Sequence, residues 1–227
     1  MQALILAAGQ GQRMRPLTND IPKCLVLYCG RPILEYCLEN IDLPTIIVGG
    51  YKAEKLLKYG KVLVNENYAN SGMVESLFCA SPEDDILISY SDIIYNKVPI
   101  NLLKSSCDDI AIIADDNYLE LWQKRMPNPL KDLETFRVRD EYLIEIGNKP
   151  TNYSEIESQY TGLLKINLGV WNPLKNLYYK QNNPNLHMTH LLSLAIKEGF
   201  KVRVIRVNKC WMEFDTPSDL LITNYLF

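Results

Sequence analysis

The feature that most restricts this chain lies at its start: the segment from Gln2 to Ala7, apolar throughout after its first residue and closed by the glycine-bearing turn Ala8-Gly-Gln-Gly11. A hydrophobic stretch with no polar alternation suits a strand covered on both faces, as in a parallel sheet. The next elements keep the rhythm this demands. Short apolar or β-branched runs at 45–48, 61–64 and 86–89 alternate with helix-length segments at 32–41, 53–59 and 73–80. The alternation predicts right-handed βαβ units and hence an α/β fold, a Rossmann-like, open, mostly parallel sheet flanked by helices. From about Asp115 the pattern loosens. Segments 133–138 and 142–146 read as an antiparallel hairpin turning at 139–141, with another strand near 162–166, and this small insertion is expected to cover part of a site. A helix at 188–198, a strand at 202–207 and a last helix after Thr216 complete the pattern. Thr216, Pro217 and Asp219 form a capping-box-like start that leaves Asp215 outside the cap.

A chain of 227 residues, 47% of them hydrophobic, can bury a full core, and we expect one domain over 1–227. The formal charge of -3 and the pI near 5.5 give no broad basic field for nucleic acid or anionic lipid, so phosphate binding must be local. No apolar run approaches bilayer length, and no basic stretch precedes the first hydrophobic one, which predicts a cytoplasmic protein without a membrane partner. The six cysteines are scattered, without a C-x-x-C, and read as reduced.

The loop after the first strand carries the chemistry. It runs from Leu6-Ala7-Ala8-Gly9 through Gly11, Arg13 and Thr18 to Pro22-Lys23-Cys24-Leu25. Small residues let backbone N–H groups close around phosphate oxygens, and Arg13, Arg15 and Lys23 bring cationic donors to the same place. A dinucleotide fingerprint needs glycine where Met14 stands, and a Walker A loop needs Gly-Lys-Ser/Thr, so neither motif fits. A bare Gly-x-Gly also serves a tight βα turn. With Arg13 and Lys23 in register, a polyphosphate site is the better account.

The pattern L-A-A-G-x-G-x-R-M-x-P-L-T-x-x-x-P-K-x-L, residues 6–25, resembles the signature of the nucleotidyltransferases that activate sugar 1-phosphates, phosphocholine and phosphonates. The resemblance implies the nucleotide-diphospho-sugar transferase fold, with Leu6, Ala7, Ala8, Gly9 and Gly11 beside the nucleotide. Arg13 would hold the β- and γ-phosphates and Lys23 would bridge towards the α-phosphate. It also implies Mg²⁺ held by two aspartates, matched here by Asp92 in Ser89-Tyr-Ser-Asp92 and Asp215 in Trp211-Met-Glu-Phe-Asp215. Taken alone, either would read as a turn or cap aspartate. The family often has glycine before the first aspartate, and Ser91 stands here instead.

No general base is evident. The only histidines, His187 and His190, stand at the start of the predicted helix at 188–198 and read as structural or substrate-facing. An acceptor phosphate is already anionic near neutral pH, its second pKa being about 6. Such chemistry needs alignment and charge neutralisation more than proton removal.

Segment 64–77, with Asn65, Asn67, Tyr68, Asn70, Ser71 and Gly72, resembles the nucleotide-selecting loop of the cytidylyltransferases in this group and makes CTP the expected donor, with Ser71 and Gly72 at the base edge. An ordinary polar loop in which Asn70 or Ser71 caps the next helix remains open. Segments 119–136, 145–150 and 159–165 resemble a subgroup that includes the capsular phosphoglutamine enzymes. Lys149 matches the family's acceptor-phosphate lysine, or is a solvated hairpin residue. Tyr118, Trp122 and Tyr160 could cage a quaternary ammonium, whereas Arg125 could fork onto a carboxylate and favours an anionic acceptor. A packed helix face with a surface ion pair explains Trp122 and Arg125 equally well.

The expectation is therefore a Mg²⁺-dependent cytidylyltransferase of capsule biosynthesis that moves CMP from CTP to phosphoglutamine or a related phosphoramidate or phosphonate, releasing pyrophosphate. The acceptor region is expected at about 115–166, with Trp122, Arg125, Lys149 and Tyr160 in contact. A sugar-1-phosphate uridylyl- or thymidylyltransferase and a non-catalytic CTP-binding paralogue are the alternatives. The terminal Tyr225-Leu-Phe227 leaves a homodimer open.

Overall fold

The computed structural model describes residues 1–223, 225 and 226; Phe227, offered above as part of a self-association surface, lies outside the described residues. The strands and helices in chain order are β1 (Gln2–Ala7), β2 (Leu27–Tyr28), β3 (Arg31–Pro32), α1 (Ile33–Asn40), β4 (Thr45–Gly49), β5 (Lys61–Val64), α2 (Met73–Phe78), β6 (Ile86–Tyr90) and β7 (Ile93–Tyr95). They continue with α3 (Lys97–Ser105), β8 (Ile110–Asp115), α4 (Tyr118–Arg125), β9 (Phe136–Arg139), β10 (Tyr142–Ile146), β11 (Gln159–Ile166), α5 (Leu168–Lys180), α6 (Met188–Lys197), β12 (Val202–Val207) and β13 (Trp211–Glu213).

Nine strands form one sheet in the order β5-β4-β1-β6-β11-β8-β12-β10-β9. Its first four strands are mutually parallel, with β1 between β4 and β6, so Ala3, Leu4 and Ile5 are fully buried as the apolar run requires. β11 runs antiparallel to both β6 and β8, and β12 is parallel to β8. The expected hairpin is present as β9 and β10, and it extends this sheet at its edge, where Tyr142 pairs with Arg203 of β12.

Two segments expected to be helical, Ala53–Tyr59 and Pro217–Leu221, wind as 3-10 helix. Gly60 at φ 147° ends the first, and extended backbone at Ile222 ends the second. Among the described residues no helix is long and apolar enough to cross a membrane. All six cysteines are free.

Candidate active site

The loop leaving β1 doubles back on itself. Gly11 has φ +60°, and a Cβ there would lie 2.9 Å from the Lys23 Cβ. Glycine is thus required twice, for the left-handed backbone and for the close approach. Buried Thr18 closes the turn by donating its hydroxyl to the Gly11 carbonyl at 2.7 Å. The result is that Lys23, at the start of a 3-10 turn, stands directly across from Gly11.

Asp92 and Asp215 meet through a ribbon. β7 and β13 pair antiparallel, with Glu213 opposite Ile93, and Phe214 donates its N–H to the Asp92 carbonyl at 2.9 Å. Asp92 precedes β7 and Asp215 follows β13, so the two carboxylates emerge at the same end. The Lys23 ammonium stands between them, 2.7 Å from Asp92 Oδ2 and 2.7 Å from Asp215 Oδ1. Burial opposes the charged lysine, but the two carboxylates outweigh it and hold its pKa above the ordinary value. The same cation, with Arg13 at 2.9 Å and Arg125, outweighs burial at Asp215 and keeps that carboxyl below its usual range. The buried thiol of Cys24, next in sequence, is pushed up to about 12, first by burial and then by the Asp92 charge.

Arg125 follows the packed-face reading, stacked over Trp122 at 4.9 Å, but its ion pairs are buried rather than on the surface. Its side chain is 1% exposed and reaches Asp215 Oδ2 at 3.0 Å, Asp219 Oδ1 at 3.2 Å and Glu213 through a short ion pair. A guanidinium committed to these three carboxylates at the end of α4, with Asp132 Oδ2 a further partner at 3.9 Å, has no free fork for a ligand, so the expected acceptor contact is replaced by support of Asp215. Asp219 completes the support, because its Oδ2 accepts the N–H groups of Asp215 and Thr216 at 2.7 and 2.8 Å. This is the expected capping box, and it fixes the backbone under Asp215 as well as the following turn. The Glu213 pKa is raised by burial and by the neighbouring carboxylates, with Arg125 opposing.

Two cavities adjoin at this point. The first, about 230 Å³, is lined by Leu6, Ala7, Ala8, Gly9, Gly11, Lys23, Ser71, Gly72 and Asp92, all singled out in the sequence, together with Tyr68, Met73 and Tyr90. Asn65 shapes its wall: fully paired and 2% exposed, it donates to Ser71 Oγ at 3.1 Å and Ser76 Oγ at 3.0 Å. The second cavity, about 190 Å³, shares Met73 and Tyr90 with the first and is lined by Trp122, Tyr160, Asp215 and the previously unassigned Asp132, Glu134, Gln159 and Glu213. Arg13 lies outside both, its side chain 64% exposed and paired with Asp215. Lys149 is exposed, and its ammonium donates to the Lys131 carbonyl rather than into either cavity. Of the residues missed, Glu213 carried a signal, since it lies two residues before Asp215 next to a strand and so projects to the same side. The others gave none.

Hard oxygen donors suit Mg²⁺. Asp132, Glu213 and Asp215 each offer one carboxylate oxygen, and these lie within 4.8 Å of one another. Asp92 is held apart from this group by the intervening Lys23. The donor chemistry fits the ion, with Asp215 common to both pairings.

An open α/β sheet with a cationic loop at the strand ends and facing carboxylates defines a nucleotidyltransferase. The chain belongs to the MobA-like NTP transferase family, whose model matches residues 3–135. It is 34% identical to the CTP:phosphoglutamine cytidylyltransferase of Campylobacter jejuni, across 97% of this chain and 98% of that protein. It is 31% identical to the UTP–glucose-1-phosphate uridylyltransferase AglF of Haloferax volcanii, across 96% and 93% respectively. The solved inositol-1-phosphate CTP transferase from T. maritima shares the fold, with a TM-score of 0.78 at 21% identity over 99% of this chain and 93% of that one.

Proposed function

We propose that this protein transfers CMP from CTP to a small phosphorylated acceptor, phosphoglutamine or a related phosphoramidate or phosphonate, and releases pyrophosphate. The observation that carries the reading is Lys23, which joins Asp92 of the first cavity to Asp215 of the second. A cation at that boundary suits a reaction in which the donor's α-phosphate must meet the acceptor's phosphate. The near-full-length likeness to the Campylobacter jejuni enzyme supports CTP as donor and a small non-sugar acceptor.

In this mechanism the loop from Ala7 to Gly11 cradles the polyphosphate, while Ser71 and Gly72 receive the base. Lys23 exchanges its carboxylate partners for phosphate oxygens and spreads the charge that builds during in-line attack. Arg13, exposed and linked to Asp215, turns to the departing pyrophosphate. Asp92 and Asp215, with Glu213 beside Asp215, would hold Mg²⁺, which would supply positive charge to offset that of the polyphosphate. The acceptor anion attacks without a general base. The acceptor subregion spans about 115–166, with Trp122 and Tyr160 in contact and Lys149 reaching the acceptor phosphate once freed from the Lys131 carbonyl. We take the whole chain as one catalytic unit that works on small molecules in the cytoplasm.

The test is Mg²⁺-dependent pyrophosphate release from each common NTP with phosphoglutamine, 2-aminoethylphosphonate and glucose 1-phosphate. We expect release with CTP and a non-sugar acceptor. Release only with UTP and glucose 1-phosphate would move the protein to the uridylyltransferase reading, which the likeness to AglF favours. CTP binding without turnover on any acceptor would favour a nucleotide-binding paralogue.

A further inference from the structure

The polar lining of the second cavity is dominated by hydrogen-bond acceptors. Asp132, Glu134, Glu213 and Asp215 all reach it, four carboxylates against the single imidazole of His187. The cations that offset part of this charge are already committed: Lys23 and Arg13 pair with Asp215, and Arg125 lies behind Glu213, Asp215 and Asp219. Two nearby donors are likewise directed at carboxylates: Trp122 Nε1 to Asp132 Oδ2 at 2.9 Å and Thr189 Oγ1 to Glu134 Oε1 at 3.3 Å. Gln159 adds an independent sign. It lines the cavity, is 5% exposed, and its Oε1 is buried without a hydrogen-bond partner. A buried carbonyl oxygen left unpaired is costly and marks a place where a ligand supplies the missing N–H.

The surroundings narrow the kind of cation. Tyr90 and Tyr160 pack edge to face at 5.9 Å, and with Trp122 they place aromatic surface around the carboxylates. Aromatic rings beside acceptor oxygens suit an organic cation, whose charge the carboxylates meet and whose carbon atoms the rings cover. A quaternary ammonium has no N–H to give Gln159; a primary ammonium has three.

We propose that this cavity is a primary-ammonium subsite, in which Gln159, Glu134 and Asp132 receive the protonated amine of the acceptor while its phosphate faces Lys23. The inference rests on the transferase reading above and specifies its acceptor as an amino-bearing phosphate or phosphonate.

Three acceptors test it: 2-aminoethylphosphonate, propylphosphonate, which replaces the ammonium by a methyl group, and phosphocholine. Each is followed by CTP-dependent pyrophosphate release and by calorimetric binding. We expect the amine to exceed propylphosphonate by at least about 100-fold in kcat/KM, as in sites built around a substrate N–H. Gln159→Leu and Glu134→Gln should collapse that ratio by weakening the amine alone, with CTP affinity unchanged. Equal use of propylphosphonate, or equal affinity for it, overturns the subsite while cytidylyl transfer stands. Equal use of phosphocholine overturns the requirement for a primary amine. If CTP is inert with every acceptor, calorimetry still decides: selective binding of the amine upholds the subsite and sinks the transferase reading, and indifference between the amine and propylphosphonate sinks the subsite.

Discussion

Replacing Arg125 by methionine keeps most of the volume and apolar contact but removes the charge at the centre of the carboxylate network. The loss is unevenly distributed. Asp215 keeps Lys23 at 2.7 Å and Arg13 at 2.9 Å, and Asp219 keeps two backbone N–H donors. Glu213 loses its direct ion-pair partner. Removing one member of a buried pair costs about 3–5 kcal/mol. Glu213 is 23% exposed, and without Arg125 its carboxyl, already raised by burial, takes up a proton at neutral pH, so the lower end applies, about 3 kcal/mol. For a domain of this size that corresponds to a fall in Tm of about 6–12 °C. Urea unfolding of Arg125→Met at pH 8 should show the loss, and adding Glu213→Gln should recover about 1–2 kcal/mol by removing the carboxyl that the fold must keep protonated. An Arg125→Met protein within about 0.5 kcal/mol of the parent, but with a raised KM for the acceptor, would refute the supporting role and restore Arg125 as a ligand contact.

Lys23→Ala and Asp215→Asn should each stay folded by circular dichroism yet lose about 10²–10³ in kcat, measured as pyrophosphate release, because both remove charge stabilisation at the transferring phosphate. Gly11→Ala should cost about 1–2 kcal/mol in urea unfolding from its left-handed backbone and also lower activity, since the new Cβ displaces Lys23. A thiol reagent at pH 8 should label Cys29 and Cys107, both exposed, well before buried Cys24 and Cys37, which should react only on unfolding. The Cys24 thiol sits at about 12 in the fold against about 8.5 in an unfolded chain. Its raised folded pKa contributes stability below pH 8.5 that is lost as pH climbs towards 12. Tm should therefore decline across that window, and less steeply for Cys24→Ala.

Legibility in the sequence followed the range of each interaction. Strands β5, β10 and β12 matched the runs at 61–64, 142–146 and 202–207, because alternating or continuous apolar residues report local burial directly. β8 did not stand out, although all six of its residues are buried. A short apolar run between acidic pairs can be helix or strand until its neighbours are known. The polyphosphate loop was legible for a different reason: its glycines, Arg13 and Lys23 lie within one turn of chain, so their spacing in sequence is nearly their spacing in space.

The sequence by itself determined the α/β alternation, the cationic loop after β1 and the candidate carboxylates Asp92 and Asp215. It also marked the Thr216–Asp219 cap, a motif complete within four residues. Only the tertiary structure decided what those groups face. Pairing of β7 with β13 brings Asp215 to Lys23, and α4 turns Arg125 inward beneath it rather than outward to a ligand. Asp132, Glu134, Gln159 and Glu213 converge from three separate stretches of chain into one cavity. Such convergence follows from sheet order and strand register, which depend on the packing of the whole chain and leave no mark in the spacing of any single segment.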